Sequence, residues 1–173
     1  SLAPSYVAAF PGTTIQTMEE ALLALGAAGV EETAIGATIV KKAYDEMLET
    51  ASGAPILTTC CPAINELVRK YYPECVSYLA PVLSPMLAHG KDLKERYPGC
   101  SVLFIGPCIA KKGEADKRPD LVDCVLTYDE LIALLEERNI EPRKDQNPRR
   151  EEASKARLFP TEGGILATME RKN

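Results

Sequence analysis

Short apolar runs that alternate with amphipathic helical stretches constrain this chain more than any other feature. The run "SVLFIG" at residues 101–106 is apolar throughout, as a parallel strand covered on both faces would be. "PILTT" (55–59) and "VDCVL" (122–126) are further strand candidates, "YVAAF" (6–10) is a short apolar run, and a weaker strand is placed near Thr33–Ile35. Between them lie helix signals. Thr13 and Gln16 have capping-box spacing ahead of Ile15, Met18, Leu22 and Leu25. Residues 37–50 put Val40, Ala43, Tyr44 and Met47 on one face, closed by Ser52-Gly53. Pro62–Tyr72 reads as a helix stopped by Pro73, and Ser84-Pro85 starts another that ends near Pro98-Gly99. Thr127 and Glu130 box the start of a helix over residues 128–140. The alternation implies an α/β fold with mainly parallel sheet flanked by helices.

Three segments follow from this pattern. Residues 1–140 form the α/β core. Residues 141–158 are dense in both charges, hold two prolines and have no period, so they read as a linker or insertion. Residues 159–173 begin a further segment, with Gly163-Gly164 as a turn before a helix. The chain starts without Met and stops on "MERKN", which reads as a fragment.

Composition excludes several classes. With 46% apolar residues, a core can be buried without disulfide staples. A net charge of −5 argues against nucleic acid as a partner. No apolar run reaches the roughly 18 residues of a membrane span, and no secretory signal is visible. The six cysteines therefore suit a reducing, cytoplasmic setting, as thiols or metal ligands.

Three of those cysteines are placed where chemistry gathers. Ligands of open parallel sheets collect beyond the carboxyl ends of strands. Cys60 and Cys61, in "TTCCP", follow one strand candidate, and Cys108, in "GPCIAKK", follows another. Side chains of neighbouring residues on an extended chain point to opposite faces, so Cys60 and Cys61 should meet different surroundings. Pro62 suits the first helical position, which makes Cys61 the N-cap, where the helix dipole favours thiolate. Lys111 and Lys112 add positive charge at the same mouth. Converging thiolates suit a soft metal centre. The C-x-x-C pairs usual for zinc or for a thioredoxin-like dithiol are absent. Cys75, Cys100 and Cys124 read as small buried hydrophobes, and the lone His89 as packing or surface.

"TTCCP" and "GPCIAKK" resemble the first two signature motifs of the [FeFe]-hydrogenase catalytic domain, which run T-S-C-C-P and M-P-C-x-x-K-K. The resemblance extends to Tyr71–Glu74 followed by Ser84-Pro85, to "EAD" and "VDCVLTYDEL", to Ala3-Pro4-Ser5 and to "GGILATME". It implies a Fe-only hydrogenase-like fold and divides the labour of the paired thiols. Cys61 and Cys108 would ligate the [4Fe–4S] cubane of an H-cluster, and Cys60 would be the proton donor beside its diiron site. Lys111 would hold a cyanide ligand of the diiron unit, and Ala3, Pro4 and Ser5 would pack on that unit. The implied activity is hydrogen oxidation and proton reduction, or hydrogen and redox sensing. A ferredoxin-like electron carrier or module would be the partner, with a downstream signalling domain if the role is sensory.

The sequence also departs from the family. The third motif, which carries the other two cubane ligands, has no match in these 173 residues, so both iron centres are expected to be absent or incomplete in this chain alone. Ala43 and Tyr44 stand where the family has paired glutamates, and Ala80 where it has a serine, so the proton relay is broken beyond Cys60. Gly106 replaces a methionine, and Met86 falls where glutamine is usual. Two alternatives stay open: a non-hydrogenase iron–sulfur protein in electron transfer or cluster handling, and a metal-free α/β interaction module.

Overall fold

The computed structural model describes residues 1–50, 53–145 and 155–168. Its sheet is parallel and short. Strand β1 (Leu103–Ile105) pairs with β2 (Cys124–Leu126) in register Leu103 to Cys124. Leu2 extends the sheet on the other side of β1, making parallel bridges to Ile105 and to Glu32. Four backbone bonds hold it: Leu2 N–H to Glu31 O, Thr33 N–H to Leu2 O, Ala3 N–H to Ile105 O and Ile105 N–H to Ser1 O, at 2.8–2.9 Å. The order across the sheet is therefore Glu32, Leu2, β1, β2. A second parallel contact joins Leu57 to Leu79.

The helices of the described residues are α1 (Tyr6–Ala9), α2 (Ile15–Ala24), α3 (Ala34–Thr50), α4 (Pro62–Tyr71), α5 (Pro85–Arg96), α6 (Ala110–Asp116), α7 (Tyr128–Glu137) and α8 (Gly164–Thr168). Two 3-10 turns, Pro73–Tyr78 and Lys155–Leu158, complete the described elements. None of these helices is long and apolar enough to cross a membrane.

Local chemistry explains where several helices begin. Ser84 accepts from Leu87 N–H, with Pro85 at the first helical position. Thr127 and Glu130 exchange both bonds of a capping box. The box of α2 sits one residue later than its spacing suggests, on Thr14 and Thr17. "YVAAF" is mostly the short helix α1 rather than a strand. The strand placed at Thr33–Ile35 is displaced upstream to Glu32, because Ala34 already begins α3. The Ser52 end of α3 lies outside the described residues.

Two packed clusters fill the interior. The larger joins Leu2, Met18, Phe104, Val122 and Leu131 around the sheet. The smaller joins Ala37, Val40, Tyr44, Ala88 and Phe159 between α3 and α5, with Cys60 against its edge. These helices meet so closely that a methyl on Gly36 would stand 2.0 Å from the Pro85 carbonyl oxygen. His89, fully buried here, bonds Ser1 Oγ through Nδ1 at 2.9 Å and Glu31 through Nε2 at 3.2 Å. Arg96 bonds both Glu31 and Asp92. Its guanidinium, more than His89, holds the Glu31 carboxyl down at about 2.

Most of the expected linker, residues 146–154, lies outside the described residues, as do residues 169–173 at the end of the last segment. The turn at Lys155–Leu158 packs on α3 with Ala156 buried. Gly163, at φ +66°, makes the turn before α8.

Candidate functional site

Parallel strands put their carboxyl ends on one side, and Ala3, Gly106 and Thr127 leave the sheet there. Gly106 is closed in by this arrangement: a Cβ on it would stand 2.8 Å from the Phe104 ring and 3.1 Å from Ala3 Cβ. Cys108 follows two residues later, half-buried, ahead of α6. Cys124 and Cys100 lie at the amino ends of β2 and β1, on the opposite edge. Cys124 is exposed, not the buried hydrophobe its apolar strand suggests; among the described residues β2 is an edge strand paired with β1, and of its three residues only Val125 is buried. Cys75 and Cys100 are half-buried.

Cys60 and Cys61 leave the Leu57–Leu79 contact and enter α4. Cys61 is the N-cap in extended conformation (φ −103°, ψ 108°), with Pro62 next, and its thiol is exposed. Cys60 turns inward. Its Sγ lies 3.8 Å from the hydroxyl of Tyr44, a residue only 1% exposed. The neighbouring thiols therefore do face different surroundings. Burial pushes the Cys60 thiol up from its ordinary range, against the opposing pull of the Tyr44 hydrogen bond and the Lys111 charge.

The Tyr44 hydroxyl belongs to a directed chain. Thr59 N–H donates to it at 2.8 Å. The single proton of Thr59 Oγ1 goes to the carbonyls of Val82 at 2.9 Å and Ala80 at 3.1 Å. The Tyr44 proton is thus left for Thr59 Oγ1, 3.2 Å away, or for Cys60 Sγ. Burial raises the Tyr44 phenol as well. A proton passing from Cys60 through Tyr44 would reach Thr59 and then two backbone carbonyls, with no titratable group beyond the Tyr44 phenol, itself pushed up by burial.

Lys111 ties the two cysteine motifs together. Its Nζ donates to the Cys60 carbonyl at 3.3 Å and pairs with Glu114 at 2.6 Å, and both side chains are largely buried. On the other wall, Tyr128 donates to Ala3 O at 3.0 Å and bonds Ser5 Oγ at 2.8 Å. Ser5 precedes α1 without capping it, and Pro4 is half-buried beside it. Lys112 turns outward to pair with Glu130.

The donor set can be weighed against the iron centres that the motifs imply. Cys60 and Cys61 follow the Leu57–Leu79 contact and Cys108 follows β1, and among the described residues no three thiols approach closely enough to share one metal ion. A multi-iron cluster bridges wider gaps than a single ion, and an exposed N-cap thiol at Cys61 and a half-buried one at Cys108 are of the type such a centre takes. These residues supply two of its four thiolates.

Sequence spacing does not reveal Tyr44, Thr59, Glu114 or Tyr128 as parts of this site. Tyr44 looks like an ordinary inward residue of α3, and Tyr128 the first residue of a boxed helix. Only Glu114 had a local signal, three residues beyond Lys111 on one helix.

A family model described as "Iron only hydrogenase large subunit, C-terminal domain" matches residues 1–173. The cytosolic Fe-S cluster assembly factor NAR1 of Kluyveromyces lactis is 36% identical over 89 residues, covering 50% of this chain and 19% of that protein. The periplasmic [Fe] hydrogenase large subunit of Nitratidesulfovibrio vulgaris is 28% identical over 145 residues, 71% of this chain and 34% of its own. Among solved structures, the [FeFe]-hydrogenase HydA(deltaEFG) superposes with a TM-score of 0.68 at 30% identity, covering 87% of this chain and 44% of that one. A variant of HydA1 from Chlamydomonas reinhardtii gives 0.68 at 31% identity, with 81% and 42% covered. The chain thus spans less than half the length of the hydrogenases it matches. With the family model matching residues 1–173 and the fold superposing over 87% of the chain, it belongs to the family of the iron-only hydrogenase large subunit, C-terminal domain.

Proposed function

We propose that this chain is the first part of an H-cluster-type iron–sulfur domain that handles hydrogen slowly, as a hydrogen or redox sensor. The observation that carries the reading is the dead end behind Cys60. A high-flux hydrogenase must deliver protons as fast as electrons. Here the hydroxyl chain from Cys60 stops on the carbonyls of Ala80 and Val82.

Cys61 and Cys108 would hold the cubane, with two further thiolates from outside these 173 residues. Lys111 would reach the diiron unit from its seat between Glu114 and the Cys60 carbonyl. When bound, that centre supplies the electron and hydride chemistry. The protein's own part is to hold a proton on Cys60 Sγ, keep it hydrogen-bonded to Tyr44, and shield the thiol from water. An electron carrier of ferredoxin type and a reducing, cytoplasmic setting complete the proposal.

A second reading is cluster handling without a diiron site. The same closed hydroxyl chain favours it, as do relatives named for cytosolic Fe-S cluster assembly.

The deciding experiment reconstitutes the protein without air, measures iron, sulfide and the EPR spectrum, then supplies a diiron precursor and hydrogen. A cubane signal that changes with hydrogen supports the first reading, and one indifferent to hydrogen supports the second. The experiment is made on a protein that also carries the two further thiolates, and there failure to take up iron overturns both. Cys61→Ala should abolish cubane loading, whereas Cys60→Ala should keep the iron and lose only the hydrogen response. Loss of iron in Cys60→Ala would show the division of labour to be wrong.

A further inference from the structure

The amino end of the sheet, away from the cysteine motifs, opens into a cavity of about 780 Å³. It lies where two helices end, since Leu25, the C-cap of α2, and Tyr97, the C-cap of α5, both line it. Leu103 and Leu134 give it apolar walls, and Leu2 and Leu131, fully buried, close its inner side. The exposed residues 26–29 stand at its mouth, where a methyl added to Gly26 or Gly29 would meet nothing within 4 Å. A cavity of this size and lining suits a small molecule with an apolar body.

The charge around it is predominantly negative. Glu19, half-buried on the lining, makes no hydrogen bond or ion pair among the described residues. Glu31, also on the lining, shares the Arg96 guanidinium with Asp92, so two carboxylates meet one cation that is already engaged. Among the described residues no lysine or arginine lines the cavity. The Ser1 amine, bonded to Leu103 O at 2.8 Å, is held down at about 6 by burial and is mostly uncharged at neutral pH. Helices carry the negative end of their dipole at the carboxyl terminus, and α2 and α5 both end here.

We propose that this cavity binds a small amphiphilic cation, an apolar body ending in an ammonium group, with Glu19 receiving the ammonium. The apolar body lies against Leu103 and Leu134. The site is separate from the cysteine motifs and needs no iron centre.

The test uses the metal-free 173-residue chain at neutral pH. Amide NMR is followed while butyl-, hexyl- and octylammonium are titrated in, with sodium octanoate as a separate probe. The amines should shift the amides of Glu19, Val30 and Leu134 saturably, with affinity rising about fourfold per added methylene. The amides of Cys108 and Lys111, at the other end of the sheet, should stay still. Octanoate should bind about tenfold more weakly than octylammonium, because its charge has the wrong sign. Glu19→Gln should weaken octylammonium about fivefold. Glu20→Gln, at a carboxylate paired with Arg143, should leave it unchanged. Octanoate matching octylammonium, or Glu20→Gln weakening it as much as Glu19→Gln, would overturn the proposal. So would an amine affinity that ignores chain length, or amides that never move. Should Glu19→Gln not fold, the amine series and octanoate on the unmodified chain decide it.

Discussion

The seam between α3 and α5 and the face formed by α4 and α6 use apolar residues at similar helical spacing, with opposite results. At the seam, Val40 and Tyr44 are buried, Gly36 sits against Pro85 and His89, and both ring nitrogens of His89 are bonded. On α4, Ile64, Leu67 and Tyr71 remain 49%, 44% and 61% exposed, and Ile109 beside α6 is 74% exposed. An apolar stripe alone does not locate a core. A backbone approach that leaves no room for a Cβ does, because it needs glycine and cannot be met elsewhere.

That contrast can be broken or sharpened by substitution. Gly36→Ala should have the largest effect. The added methyl would meet the Pro85 carbonyl at 2.0 Å and His89 Cβ at 2.7 Å, forcing α3 and α5 apart. A loss of about 3 kcal/mol or more is expected, lowering Tm by about 6–12 °C in a chain of this size. An unchanged Tm would mean the seam is soft. Tyr44→Phe should come next. It leaves the buried Thr59 N–H without its 2.8 Å partner, at a cost of about 1–3 kcal/mol. Hydrogen exchange at Thr59 should quicken in step; protection that stays unchanged would show the clamp to be idle. Ile109→Ser should be smallest, within about 0.5 kcal/mol, since the side chain is already in solvent and serine is a good residue at a helix start. A loss above about 1 kcal/mol, read from urea unfolding, would show that the α4–α6 face is covered in solution.

Local chemistry was legible in the sequence and long-range pairing was not. Ser84, Thr127 and Cys61 are caps because of residues within three positions of them, so spacing found them. The α2 box slipped by one because Thr13 and Thr14 are adjacent and only the fold selects between them. Leu2, with one bridge to each side, and Leu57, with one in all, are strand contacts of a single residue, too short for any period. Cys124 misled because an edge strand can be apolar in composition and still expose alternate residues. The paired cysteines, Cys108 and Lys111 were picked out by their places after strand candidates, and motif resemblance gave them separate roles. The Tyr44 and Tyr128 hydroxyl bonds join segments 15 to 125 residues apart, a separation at which no pattern in one sequence carries the signal.

The place of Leu2 between Glu32 and Ile105 also sets a timetable. Its neighbour on one side emerges from the ribosome some thirty residues later, but its neighbour on the other only about a hundred residues later. At synthesis rates of about 5–20 residues per second, that wait is roughly 5 to 20 s. During it, the future centre of the sheet has one open edge, and closing so distant a contact is intrinsically slow. The nascent chain must be kept from pairing with its neighbours on the same message until β1 arrives, so the yield of folded protein depends on translation speed and chaperone supply.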